Sequence, residues 1–180
     1  MSPRNYKLIK SERALRTVLN KIGTSRAALD FETTTFTPET GDVRLAQVCN
    51  DDVYAVIDFF PMGGFAKVAH MLADAEWIVF NAGFEARWLA YHAVWPRLRD
   101  VGHLRRAIEG GGHMSLKSLV ERELGITMDK TEQASNWSAA TLTQSQLDYA
   151  ALDALYTWNA WVSLTDRSDD GQQAAAQMLD

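Results

Sequence analysis

Ala28-Leu29-Asp30-Phe31-Glu32-Thr33 reads as an apolar strand that turns acidic at its end. Side chains two apart on a strand project to one face, so Asp30 and Glu32 converge, and Leu29 and Phe31 are left for the other. Two carboxylates side by side repel and raise each other's pKa unless a cation lies between them. Asp-x-Glu is a common triplet, and by itself a strand end whose acids face water accounts for it.

Working outward, residues 44–50 and 53–58 resemble two further strands separated by the turn Asn50-Asp51-Asp52. Upstream, Ser11 is placed to cap a helix through about Ile22. Downstream, residues 62–73 look helical, residues 77–80 form a short apolar strand, and residues 84–92 look helical before Pro96 breaks the pattern. Gly110-Gly111-Gly112 is read as a turn, because it lacks the spacing and the Lys-Ser/Thr of a phosphate-binding loop. Helical patterns follow at residues 115–124 and 144–164, joined by a polar segment around residues 130–137. A strand meander followed by alternating strand and helix predicts a mixed sheet with helices packed on it, in one domain.

Composition limits the function. The 180 residues carry 18 Lys+Arg against 23 Asp+Glu, a net charge of −5, which gives no support to a polybasic nucleic-acid coat. The charge is uneven. Arg4, Lys7, Lys10, Arg13, Arg16 and Lys21 face only Glu12 in the first 21 residues, and Arg87, Arg97, Arg99, Arg105 and Arg106 face only Asp100 in residues 86–106. Solvated helix faces account for both stretches. Residues 166–180 are expected to form an acidic tail or fraying helix end beyond a domain spanning residues 1–165. One cysteine, Cys49, excludes an intrachain disulfide and a multi-cysteine zinc site. The N-terminal residues lack the apolar core of a signal peptide and no run is long enough to span a bilayer, so a cytoplasmic protein without membrane contact is expected.

The acids at Asp30 and Glu32 gain partners later in the chain. In Leu147-Asp148-Tyr149-Ala150-Ala151-Leu152-Asp153, Tyr149 and Asp153 lie about 40° apart on a helix, whereas Asp148 sits about 140° from Asp153 and is expected to face solvent. Between the two segments, Val79-Phe80-Asn81-Ala82-Gly83-Phe84-Glu85 runs from a buried strand through a small-residue turn into a helix start, where Glu85 suits the positive end of the helix dipole. Gln47, a polar residue on an otherwise apolar strand, is expected to play a hydrogen-bonded structural part.

Taken in order, these segments resemble the DEDD family of 3'–5' exonucleases in its tyrosine-containing branch (DEDDy), which includes ribonuclease D, the Werner-type exonucleases and the proofreading domain of bacterial DNA polymerase I. Asp30-Phe31-Glu32 is similar to the first motif, Asn81 to Glu85 to the second, and Tyr149-x-x-x-Asp153 to the third. The run Leu116-Lys117-Ser118-Leu119-Val120, Leu124-Gly125, Lys130, Gln133, Ser135, Trp137, Leu142, Gln146 is similar to the ribonuclease D approach to the third motif. The likeness covers roughly residues 25–160. Two positions depart from it: Glu85 stands where the family usually has Asp, and Phe31 where it usually has Thr.

The resemblance implies a ribonuclease H-like α/β fold, a mixed five-stranded sheet flanked by helices. It implies two divalent ions, Mg²⁺ or Mn²⁺, with Asp30 bridging, Glu32 and Asp153 on the water-activating ion, and Glu85 supporting the second. Tyr149 would orient the attacking water, and nucleoside 5'-monophosphates would leave a single-stranded 3' end of DNA or RNA. Phe36 is the expected wedge against the terminal bases, an aromatic closing the sheet edge being the plainer account. Asn81 and Arg87 are expected substrate contacts, Arg87 and the pair Arg105–Arg106 by tracking phosphates. Trp137 is expected to pack the loop before the catalytic helix. Two rivals are kept: a nucleic-acid-binding module of the same fold weakened by Glu85, and an unrelated metal phosphohydrolase. The oligomeric state is left open.

Overall fold

In the computed structural model, residues 5–129 and 131–167 are described. The acidic strand, β2 (Arg26–Thr33), lies between β3 (Val43–Cys49) and β5 (Glu76–Val79) inside a mixed sheet. With β1 (Lys7–Ile9), β4 (Tyr54–Asp58) and β6 (Arg97–Asp100), the order is β1-β4-β3-β2-β5-β6. β2, β3 and β4 pair as an antiparallel meander, and β1, β5 and β6 add in parallel to their neighbours. The sheet has six strands where the resemblance implied five. β1 is three residues long, too short for a periodic signal. β6 reads Arg-Leu-Arg-Asp, and its charged Arg99 and Asp100 are buried, so its sequence looks like surface.

The alternation along β2 divides the layers. Ala27, Leu29 and Phe31 belong to one core with α1 (Glu12–Ile22), α2 (Gly83–Tyr91) and the segment after β4. Phe65 stands edge-on to Phe31 and Phe59 there, with ring centroids 5.4 and 4.9 Å apart. Ala28 faces the other layer, where α5 (Gln144–Asp166) crosses Leu45, Cys49 and Val56. α3 (Val101–Glu109) and α4 (Leu116–Leu124) pack with the C-terminal half of α5 around Ile78.

Local chemistry starts the helices where the sequence predicts. Ser11 accepts from Ala14 N–H at 3.3 Å, and Ser115 accepts from Ser118 N–H at 3.1 Å. Thr143 and Gln146 form a reciprocal capping box at the start of α5, a motif that fixes the entry of the helix carrying Tyr149 and Asp153. Residues 62–73 depart from the predicted helix. They form 3-10 turns at Phe60–Met62, Phe65–Lys67 and Ala69–Leu72, because Gly63 and Gly64 adopt φ of 90° and 96°. α3 follows β6 without a break and was not expected. The expected domain boundary at residue 165 falls in the last turn of α5, and residues 168–180 of the expected acidic tail lie outside the described residues, as do Arg4 and Lys130. No helix among the described residues is long and apolar enough to cross a membrane.

Candidate active site

β2 delivers Asp30 and Glu32 to the α5 side of the sheet, opposite Gln47 and Leu45 of β3. The pairing shifts register between Glu32 and Thr33, so the strand is irregular immediately after its second acid. α5 brings Asp153 to the same place. Carboxylate oxygens of Asp30, Glu32 and Asp153 all lie within 4.8 Å of one another. These three residues, Glu85 and Tyr149 line one cleft of about 690 Å³, which also takes in Phe36, Asn81 and Phe84.

The cluster is strongly acidic. Among the described residues no Lys or Arg lines the cleft. Burial first, then the charges of Asp153, Glu85 and Glu32, push Asp30 well above the usual carboxylate range. Burial and then Asp153 push Glu32 up to about 9. Four acids at one place raise the free energy of the ion-free fold, and oxygen-only donors of this kind suit hard divalent cations.

Glu85 enters differently. It sits in the first turn of α2, is 2% exposed, and belongs to the cleft without belonging to the triad of close oxygens. Its Oε2 has no hydrogen-bond partner among the described residues, and burial first, with the charge of Asp100 behind it, pushes its pKa up to about 8. A buried carboxylate oxygen left unpaired beside three more acids is the observation that most directly fits an ion or its water shell. The turn before it is held by Asp100, whose carboxylate accepts from Ala82 N–H at 2.8 Å and from His103 N–H at 3.0 Å. Asn81 stands in that turn at φ 65°, exposed at the cleft.

Tyr149 is half-buried and lies within reach of the charge of Asp153 on the same helix. Burial, then the charges of Asp153, Glu32 and Asp30, push its phenol far above its ordinary value, so it stays a proton donor. Trp137 is buried and packs against it, ring centroids 6.5 Å apart. Arg44 of β3 fixes the loop carrying Trp137. It pairs with Asp58 at 3.0 Å and donates to the carbonyls of Ala139 (2.5 Å) and Trp137 (3.5 Å). Gln47, with its amide nitrogen turned toward β2, donates to Asp30 Oδ2 at 3.1 Å and to the Asp30 carbonyl at 2.7 Å. Neither Arg44 nor the length of its reach has a signal in the sequence.

Some expected roles change. Asp148 is half-buried and accepts from Tyr6 at 2.9 Å and Gln144 at 2.7 Å, because the chain before β1 folds back against α5. Arg105 does not face the cleft; it is buried and donates to the carbonyls of Gly110 and Gly112, closing the glycine turn around itself. Arg87 does not line the cleft either, and its guanidinium donates to the Phe36 carbonyl at 2.7 Å. His113 and Gln133, from loops that show no periodicity, do line it.

A family model described as 3'-5' exonuclease matches residues 6–168. This chain belongs to that 3'-5' exonuclease family. Ribonuclease D of Escherichia coli (strain K12) is 30% identical over 160 residues, covering 84% of this chain and 42% of its own length. DNA polymerase I of Aquifex aeolicus (strain VF5) is 26% identical over 153 residues, covering 84% of this chain and 26% of its own length. The chain thus spans less than half of either relative. The Aedes aegypti Nibbler EXO domain has the same fold, with TM-score 0.81, 20% identity, and coverage of 100% of this chain and 98% of that one. The fold is that of the ribonuclease H-like exonuclease domains, the family is one of metal-dependent nucleases, and the acidic cluster is compatible with such a site. A binding module weakened by Glu85 finds no support in these likenesses.

Proposed function

We propose that this exonuclease domain, residues 1–165, removes nucleotides from the single-stranded 3' ends of DNA or RNA and releases nucleoside 5'-monophosphates, as a member of the tyrosine (DEDDy) branch. The observation that carries the reading is the approach of Asp30, Glu32 and Asp153 within 4.8 Å of one another, with Tyr149 lining the same cleft. Asp30, Glu32 and Asp153, with Glu85 toward a second ion, would hold Mg²⁺ or Mn²⁺, which when bound supplies an activated water and neutralises charge on the phosphodiester.

The chain's own residues do the rest. Tyr149 keeps its proton and orients the attacking water from the α5 side. Gln47 and Trp137 fix Asp30 and Tyr149 from behind. Phe36, 85% exposed, offers a face on which the terminal base stacks without regard to base identity. Asn81 offers amide donors to the sugar-phosphate at the opposite rim. The relatives' names span both sugars, so DNA and RNA are both kept as substrates. A cytoplasmic setting remains part of the proposal and rests on the single, buried thiol of Cys49.

The test is a 5'-labelled single-stranded oligonucleotide, as DNA and as RNA, incubated with Mg²⁺ or Mn²⁺. Stepwise shortening from the 3' end, with 5'-monophosphates as product and loss of both in Asp30→Asn, is the expected result. Binding without shortening under every metal condition sinks the reading. Release of phosphate from monoesters with no 3'-end dependence points instead to an unrelated phosphohydrolase.

A further inference from the structure

Phe36 sits on the loop between β2 and β3, residues 34–42, and its ring lines the cleft while being almost fully exposed. An aromatic on a free loop is a poor platform, because stacking a base then also costs the ordering of the loop. This loop is held in two ways. Its threonines tie it to itself: Thr35 Oγ1 donates to the Thr37 carbonyl at 2.9 Å, Thr37 and Thr40 hydroxyls meet at 2.8 Å, and Thr34 Oγ1 accepts from Asp42 N–H at 2.9 Å. Gly41 permits this closure, since a Cβ there would lie 2.2 Å from Thr35 Oγ1. The second hold comes from outside the loop. Arg87 of α2 donates to the carbonyl of Phe36 itself at 2.7 Å, and its guanidinium carbon stands 5.9 Å from the ring centre of Phe84, another phenylalanine that lines the cleft.

We propose that Arg87 is a positioning residue that latches the Phe36 loop to α2, acting on the 3'-terminal base through Phe36 and making no phosphate contact of its own. The inference rests on reading the cleft as the site of a 3' end. A charged donor on a carbonyl makes a stronger bond than a neutral pair, and here it bonds the residue whose ring does the stacking. The Arg87 side chain thereby joins the two aromatics, one from a loop and one from a helix, into one fixed wall.

Two measurements test this. In steady-state shortening of a single-stranded oligonucleotide, Arg87→Met is expected to raise KM roughly threefold to tenfold, more than it lowers kcat, the scale of re-ordering one side chain and its loop. Arg87→Lys, which retains a charged donor, recovers part of the loss. Phe36→Ala raises KM at least as much, and the double variant is no worse than Phe36→Ala alone. In the Asp30→Asn background, where no cleavage is needed, an oligonucleotide with 3'-terminal 2-aminopurine is quenched on binding, and Arg87→Met weakens the quench while the salt dependence of binding stays as in the parent.

Additive losses in the double variant, or a salt slope shallower by about 0.7, reveal a direct phosphate contact and overturn the proposal. So does an unchanged quench in Arg87→Met. If the wild-type protein binds the oligonucleotide but never shortens it, the exonuclease reading fails while the quench series still decides on Arg87. If the parent binds no oligonucleotide at all, both fall. Thermal melts of each variant separate loss of the latch from loss of the fold.

Discussion

The two ends of β2 carry charge in opposite ways. At its start, Arg26 lies beside Glu76 of β5, bonded at 3.0 Å, and Glu76 also pairs with Arg99 of β6, whose side chain is buried. Burial opposes the ionisation of Glu76, but the hydrogen bonds and charges of Arg99 and Arg26 outweigh it and hold its pKa below the ordinary value. At the end of the same strand, Asp30 and Glu32 meet Asp153 with no cation lining the cleft among the described residues, and their pKa values rise. One end is a network in which two arginines hold one carboxylate and join three parallel strands. The other gathers carboxylates whose burial and mutual repulsion raise the pKa of Asp30 and Glu32. The direction of the pKa shift thus separates a carboxylate that ties strands together from carboxylates proposed to hold a cation.

The largest effect that would sharpen this contrast is in Asp30→Asn. Nuclease turnover should fall about a hundredfold to a thousandfold, the scale of losing one preorganised electrostatic group. The metal-free protein should melt no lower than wild type, because the fold no longer has to bury or protonate a carboxyl that its neighbours repel. A melt several degrees lower would break the comparison, since it would make the acids a structural element. Glu76→Gln should do the reverse. It breaks the ion pair of Glu76 with buried Arg99, a loss of about 3 kcal/mol measurable by denaturant unfolding, with turnover below the melt little altered.

Next in size is Tyr149→Phe. Removing one orienting hydrogen bond should slow turnover roughly tenfold. The melt of the metal-free protein and its affinity for Mn²⁺, measured by titration calorimetry, should stay close to wild type. Unchanged turnover would remove Tyr149 from the machinery and leave it as packing for Trp137.

The smallest effect is a pH drift of the metal-free melt, about 2–4 °C for each kcal/mol in a chain of this size. Glu32, raised from 4.5 to about 9, and Glu85, raised to about 8, keep protons in the fold that the unfolded chain has released. The folded state then binds more protons, so stability falls as pH rises from about 4.5 toward 8–9. Glu76, with its pKa lowered, works the other way, and its contribution is present above about 4.5 and lost as pH falls below it. Added Mg²⁺ or Mn²⁺ should flatten the alkaline loss in wild type and not in Asp30→Asn. A melt insensitive to pH between 5 and 9 would mean that the acids escape burial in solution.

Much of the site was legible because its parts are local. The period of two placed Asp30 with Glu32, and the period of 3.6 placed Tyr149 with Asp153, and both pairs are where those periods put them. The helix starts at Ser11, Ser115 and Thr143 are set by side chains three residues from the groups they bond. Other features left no local trace. β6 hides behind charges that distant partners meet, Glu76 of β5 pairing with Arg99, and the residues 62–73 pattern counted apolar spacing but not the positive φ of Gly63 and Gly64. Asp148 looked solvent-facing because Tyr6 lies 142 residues away in sequence.

The order of the three motifs came from the family resemblance, whereas the residues themselves gave the acidic strand, the helix cap at Ser11, the helix face shared by Tyr149 and Asp153, and a mixed sheet-and-helix chain with one cysteine. These follow from periodicity, capping and composition, which act over a few residues and need no knowledge of neighbours. Tertiary structure decided the sixth strand, the depth of Glu85, the hold of Arg44 on the Trp137 loop, and the turning of Arg87 toward Phe36. Each depends on a partner 20 to 100 residues distant, and desolvation and hydrogen-bond satisfaction are set by who that partner is.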